Sequence, residues 1–238
     1  MNQLVQPKDS TAVEWNTDEE LFALVRAELT TCPISDVMEL MGFAYPMLPH
    51  EIAPLGAPKV MIGRAMPVRD EAPIPHGGLK RYDSKPFGLL FESIEDLKPG
   101  EIYIASGGPT YAARLGDMLI TRAHALGAAG LVINGNVRDV QGIGAVDVPV
   151  FCRGTYAYGL QGRHNVVDYR CTIKVGHVLV RPGDLVFGDA DGVIVVPKEC
   201  ERDIIPKALA KARLEAKVRS AIEAGESVVD AFEKYAVM

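Results

Sequence analysis

Positive charge is in short supply in this chain. Its 25 lysines and arginines face 31 acids, a formal net charge of −6 at pH 7, which is the wrong sign for a surface that gathers phosphate backbone by counterion release. No nucleic-acid partner is therefore expected. Cysteine is thin as well: Cys32, Cys152, Cys171 and Cys200 are scattered, with no Cys-x-x-Cys pair and no histidines at zinc-ligand spacing. That excludes a zinc ribbon and predicts reduced thiols used for packing. No apolar run approaches the ~20 residues that a membrane-spanning helix requires. The first residues, MNQLVQPKDSTAVEWNTDEE, lack a basic start followed by an apolar core. The expectation is a cytoplasmic protein with no membrane partner. The glycines at Gly107-Gly108 do not continue into Gly-x-Gly-x-x-Gly, so a dinucleotide or methyl-donor site has little support.

What the chain does have is ordinary globular material. Hydrophobic residues make up 48% and charged residues 24% of 238 positions, enough for one substantial core and a terminal extension. Residues 1–16 read as a polar tail. Residues 17–200 read as an α/β domain with mixed sheets, and residues 201–238 as a C-terminal helical extension whose apolar side needs another surface to cover it, such as that of a neighbouring subunit.

Thr17 with Glu20 forms a capping-box pattern ahead of a helix carrying Leu21, Val25 and Leu29, and a second helix through Val37 and Met38 stops at Gly42. The prolines of Phe43–Pro58 predict a wrapped loop without regular structure. Strands are expected over Lys59–Val68, with Gly63 marking a bulge or close approach, and over Ile102–Ala105, Leu131–Asn134 and Val148–Cys152. Further strands follow within Val166–Val178, and Leu185–Gly188 and Val193–Pro197 pair as a hairpin across Asp189-Ala190-Asp191-Gly192. A long charged helix from Glu199 toward Tyr235 is broken at Gly225.

The densest chemistry lies between Gly107 and Gly144. Asp117 stands where an N-cap is expected, before Leu119, Ala123 and Leu126, and Gly127 ends that helix. The amides of Met118 and Leu119 then lack intrahelical partners and, with the helix dipole, suit a carboxylate. The strand Leu131–Asn134 leads into a loop, Gly135–Asp139, at its carboxyl end, the usual ligand position in α/β architecture. There Arg138 offers a planar fork for a carboxylate, and Asp139 offers hard oxygens for magnesium or manganese. Of the remaining candidates, His76 reads as a substrate contact or, as lone loop histidines more often are, a surface residue, His124 as packing or solvated, Arg153 as a carboxylate binder or a structural ion pair, and Asp189 and Asp191 as turn residues.

Leu115-Gly116-Asp117, Ala123, Gly127, Gly130, Gly135 and Arg138-Asp139 together resemble the signature of the 4-hydroxy-4-methyl-2-oxoglutarate aldolase family, which includes the regulators of ribonuclease activity A. Matches elsewhere are Ile34-Ser35-Asp36, Gly63-Arg64-Ala65, Pro149-Val150-Phe151 with Arg153-Gly154, and Gly183-Asp184 with Asp189-Ala190-Asp191-Gly192. The resemblance implies a compact swivelling β/β/α-type (αββα) fold assembled as a homotrimer or homohexamer. It also implies a class II pyruvate aldolase, a carbon–carbon lyase that uses Mg²⁺ or Mn²⁺, cleaves a 4-hydroxy-2-oxo diacid to pyruvate and a 2-oxo acid, and decarboxylates oxaloacetate. Residue by residue it makes Asp139 the metal ligand, Arg138 the pyruvate-binding and catalytic arginine, Asp117 the acid at the helix, Met118 and Leu119 the carboxylate-holding amides, and Glu215 the acid lent by an adjacent subunit. The chain departs from that pattern in its longer N-terminus, its Phe43–Pro58 loop and Tyr156-Ala157-Tyr158, all touching substrate-facing loops. The rival implied by the same resemblance is a non-catalytic regulator that binds and inhibits a ribonuclease or helicase. A methyltransferase is the second rival.

Overall fold

The computed structural model describes residues 14–71, 87–108 and 111–235. They divide into two compact units: residues 45–198, and a helical unit made of the residues up to 44 together with those from 199 onward. The units meet in sequence at residues 44/45 and 198/199, so the first two helices group with the C-terminal helices. The tail expected over residues 1–16 falls mostly outside the described residues, as does His76.

The helical unit contains α1 (Asp18–Glu28), α2 (Thr31–Leu40) and, from the chain's end, α6 (Glu201–Glu223) and α7 (Val228–Tyr235). Thr17 caps α1 as expected, its hydroxyl accepting from the amide of Glu20 at 3.2 Å. The return bond of the capping box lands one residue early, with Glu20 accepting from the Asn16 amide at 2.7 Å. Leu21, Val25, Ile34, Val37 and Met38 are buried together with Ile204, Ile205 and Leu209 of α6. The break at Gly225, φ +97°, is also as expected, because the left-handed backbone there is open to glycine at little cost.

The larger unit is built from β1 (Ala53–Pro54), β2 (Met61–Glu71), α3 (Leu90–Glu95), β3 (Glu101–Ala105), β4 (Ala113–Leu115), α4 (Asp117–Ala125), β5 (Gly130–Val137), α5 (Val140–Gly144), β6 (Val150–Thr155), β7 (Asn165–Tyr169), β8 (Ile173–Val175), β9 (Val178–Val180), β10 (Leu185–Asp189) and β11 (Gly192–Val196). Among the described residues one mixed sheet runs in the order β1-β6-β5-β3-β2-β10-β11, with β4 added on β5 and β7 on β2. Strands β2, β3, β5 and β6 are mutually parallel. The β10–β11 hairpin and β7 are antiparallel to what they join.

The alternation of side chains sorts the core onto two faces. Tyr103, Ala105, Leu131, Ile133, Met66 and Val68 pack with Leu90, Ile94, Ile120 and Ala123 of the helices. Ile102, Ile104, Val132, Ala65 and Phe151 pack with Val175, Val180, Val186 and Val193. Both faces are covered, which is why the central strands read as continuous apolar runs. The proline-rich segment is more ordered than its composition predicts. Met47 bridges to Ile194 of β11 and the Leu48 amide donates to Val193 at 2.8 Å, while Ala53 and Pro54 pair with Cys152 and Phe151 of β6. One short stretch therefore ties both edges, and the sheet is nearly closed. Gly63 is a close approach and not a bulge: a Cβ there would strike the carbonyl of Gly100. The β2 irregularity falls between Arg69 and Asp70.

Candidate active site

β5 carries the site to its place. It continues as strand through Val137, paired with β4 at Asn136 and Val137 and with Gly154 and Thr155 of β6. The loop expected from Gly135 therefore begins only at Arg138, because two flanking strands satisfy the backbone up to that point. The Arg138 amide donates to Leu115 at 3.0 Å. Asp139 then adopts φ 59° and ψ 41° and caps the short helix α5, which the glycine content of Val140–Gly144 had concealed. That left-handed conformation costs an L-residue on the order of 1 kcal/mol, less for aspartate than for most. Such backbone strain in a non-glycine residue tends to accompany function. Arg138 Nε lies 3.4 Å from Asp139 Oδ2, both side chains close to half exposed.

The entry to α4 corrects the sequence reading by one residue. Gly116 is the N-cap and Asp117 the first helical residue. A capping side chain has no room at position 116, where a Cβ would run into Asp139 Oδ2 and stand 3.4 Å from Arg138 Nε. Asp117 Oδ1 instead accepts from the Met118 amide at 2.8 Å. Of the two amides predicted to face a ligand, Met118's is thus engaged by its neighbour's carboxylate. Asp117's other oxygen rests on Gly142 of α5 where a Cβ would clash, and Gly159 would bring a Cβ to 2.8 Å from Arg138 Nη1. Asp117, Arg138 and Asp139 are brought together around three glycines, with the first turns of α4 and α5 meeting at them.

The other candidates are placed as follows. Glu215 lies on α6 of the helical unit and receives Lys211 at 2.8 Å, and Lys211 also reaches Asp36 at 3.2 Å. His124 is exposed in the last turn of α4. Arg153 donates from Nε to Asn134 Oδ1 at 2.6 Å and stands 3.4 Å from Glu51, the structural pairing of its two readings. Asp189 Oδ1 accepts from the Asp191 amide at 2.9 Å, as a turn residue does.

A buried charge cluster escaped the sequence reading. Arg114 of β4 pairs with Asp70 of β2, donates to the Gly107 carbonyl, and lies 3.4 Å from His164 Nδ1. All three side chains are all but excluded from solvent. Burial, reinforced by the Arg114 charge, pushes His164 down to about 4, so it is neutral at pH 7. Burial also draws Arg114 down, to about 9, which leaves it charged. The available signal was an arginine between Ala113 and Leu115, a charge inside an apolar triplet. Arg114 Cδ would stand 2.8 Å from a Cβ at Gly135, so the cluster braces β4 against β5 just before each reaches the site.

Whether the site suits a divalent cation can be judged from its donors. Asp139 and Asp117 supply hard carboxylate oxygens, and among the described residues no three His, Cys, Asp or Glu gather as a cage. That set fits a cation that keeps several waters, as magnesium or manganese does, and not a zinc-type centre. A separate cavity of about 210 Å³ against α5, lined by Pro54, Leu55, Val140, Ile143 and Val150, is mainly apolar and includes none of the site's charged residues.

The fold and this site together define a mixed α/β protein with a nearly closed sheet and a cluster of charged side chains at the end of a parallel strand. The family model described as RraA-like, Aldolase/RraA matches residues 31–195, and the chain belongs to that family. It is 35% identical over 123 residues, 51% of its own length, to a protein of Halalkalibacterium halodurans named "Putative 4-hydroxy-4-methyl-2-oxoglutarate aldolase". It is 28% identical over 207 residues, 85% of its own length, to Protein DlpA of Legionella pneumophila. The chain spans 58% and 32% of the lengths of these two relatives. Among solved structures, an uncharacterized protein from Pseudomonas syringae shares the fold with a TM-score of 0.80 at 22% identity, covering 94% of this chain and 99% of that one. Streptomyces coelicolor RraAS2, described as an unusual member of the RNase ES inhibitor RraA protein family, gives 0.76 at 25% identity over 86% and 99%. No described helix is long and apolar enough to cross a membrane.

Proposed function

We propose that this chain is a carbon–carbon lyase that cleaves a 4-hydroxy-2-oxo acid to pyruvate and a second carbonyl compound, with oxaloacetate decarboxylation as its simpler partial reaction. The diacids 4-hydroxy-4-methyl-2-oxoglutarate and 4-carboxy-4-hydroxy-2-oxoadipate are the first substrates to try. The observation that carries the reading is Arg138 beside a left-handed Asp139 at the carboxyl end of β5, closed over by the glycine-entered start of α4.

Magnesium or manganese, held by Asp139, would supply Lewis-acid polarisation of the 2-oxo group when bound. The chain's own residues do the rest. Arg138 holds the substrate carboxylate and faces the negative charge that develops on the enolate oxygen as the bond breaks, the kind of aimed charge worth on the order of 10²-fold or more in rate. Asp117, at the first turn of α4, receives the 4-hydroxyl proton through a water. The Leu119 amide orients the carboxylate, and Met118's joins it if the ligand displaces Asp117 Oδ1. Glu215 acts from an adjacent copy of the chain in a trimer or hexamer, in the cytoplasm.

The test is a coupled assay for pyruvate from oxaloacetate and from the two diacids, with magnesium or manganese and then with chelator. Metal-dependent pyruvate that is lost in Arg138→Met is expected. Mixing Arg138→Met with Glu215→Gln chains should restore part of the activity, because a mixed oligomer keeps one intact site. The likeness to RraAS2 favours a second reading, a non-catalytic inhibitor of a ribonuclease. Absence of pyruvate from every substrate, together with inhibition of a ribonuclease in vitro, would select it.

A further inference from the structure

The segment that follows β6 is pinned to the site from two sides. The Tyr156 amide donates to Val137, next to Arg138, at 2.9 Å, and the Ala113 amide of β4 donates to the Tyr158 carbonyl at 2.6 Å. Gly159 then presses against Arg138 Nη1. Between these anchors Tyr156 and Tyr158 stack, ring centroids 5.8 Å apart and planes 18° apart, and remain 44% and 57% exposed. Two stacked rings, each about half exposed, are thus held by backbone bonds in a segment whose Gly159 lies against the Arg138 guanidinium. The cations of this stretch are already engaged. Arg163 lies over the Tyr158 ring at 4.7 Å and donates to the carbonyls of Gly159 and Gln161, and Arg153 is held by Asn134 and Glu51.

From this geometry we propose that Tyr156 and Tyr158 select the acceptor half of the substrate, and that this half is a flat aryl or vinyl group and not a second carboxylate. The inference rests on the lyase reading and deepens it. A second carboxylate would need a spare cation here, and both arginines of the stretch are committed. A planar group gains by stacking on a ring. The reaction then balances without any oxidant or reductant. The 4-hydroxyl proton leaves to the base, the C3–C4 bond breaks, C4 becomes an aldehyde, and its electron pair passes to C3, which takes a proton to complete pyruvate.

The experiment compares kcat/KM for 4-hydroxy-4-phenyl-2-oxobutanoate and for 4-hydroxy-4-methyl-2-oxoglutarate on the full chain with magnesium. The phenyl substrate is expected to be preferred by about tenfold or more, the size of discrimination that one apolar contact surface provides. Tyr156→Ala/Tyr158→Ala should bring the ratio near one. Tyr156→Phe/Tyr158→Phe, which keeps both rings, should leave the ratio as in the parent. A parent ratio at or below one, or equal losses on both substrates in the alanine variant, overturns the selection role while leaving the lyase reading intact. Pyruvate from neither substrate nor from oxaloacetate overturns both.

Discussion

Asp139 combines two demands that are rarely met in one residue, a left-handed backbone and a carboxylate directed at its neighbour's guanidinium. Asparagine tolerates the same backbone nearly as well but cannot offer a charged oxygen. Asp139→Asn is therefore expected to fold with a melting temperature within a few degrees of the parent and to lose on the order of 10²-fold or more in pyruvate release. Parallel thermal melts and rate assays decide this, and an unchanged rate would mean that the site has been drawn around the wrong carboxylate. The identities of Asp117, Arg138 and Asp139 were legible because polar residues at the ends of apolar runs are local in sequence. Asp70, Arg114 and His164 were not, since they become neighbours only when β2 and β4 and the turn before β7 are folded together. Read locally, each is an ordinary polar residue of a strand or loop.

Among the elements, most strands and helices appear where hydrophobic period and turn residues put them, including the β10–β11 hairpin and the stop of α4 at Gly127. At that stop the amides of Gly127 and Ala128 bond back to His124 and Ala123, as a left-handed glycine terminus requires. The exceptions have physical causes. Gly116 displaced Asp117 from the cap because of a neighbour distant in sequence, and β1 formed among prolines because an edge strand can spare their missing N–H. A tertiary clasp shows the same dependence. Arg170, itself at φ 53°, bonds through its guanidinium to Asp96 and to both oxygens of Glu101, at 2.7 and 2.9 Å for the latter. This guanidinium holds Asp96 below the usual carboxylate range. Arg170→Met should lower stability by roughly 1–3 kcal/mol, seen as a lower urea midpoint at constant slope, because it strips several charge-assisted bonds at once. No shift in that midpoint would show that the clasp is a solvated pair without energetic weight.

For the molecule as a whole, the buried cluster sets an acid limit. His164 titrates near 4 when folded and near 6.5 when unfolded. Between those values the unfolded chain holds a proton that the folded chain refuses. The contribution is fully present above about pH 6.5 and declines as pH falls toward 4, by up to about 3 kcal/mol. Most carboxylate losses come below about pH 5, so unfolding free energies measured from pH 6.5 to 5 report mainly on the histidine. His164→Gln should flatten the curve in that interval, and parallel slopes in parent and variant would remove His164 as the cause. At this scale the sequence by itself determined most of the longer strands and helices, the net negative charge and the charged residues at the end of β5, because the elements and that charged pair depend on residues near one another along the chain. Only the tertiary structure decided which units those elements join, the closure of the sheet by the proline segment, the gathering of Asp117 with Arg138 and Asp139 around three glycines, and the burial of Arg114. These depend on distances between residues far apart in the chain, and a local pattern carries no record of such distances.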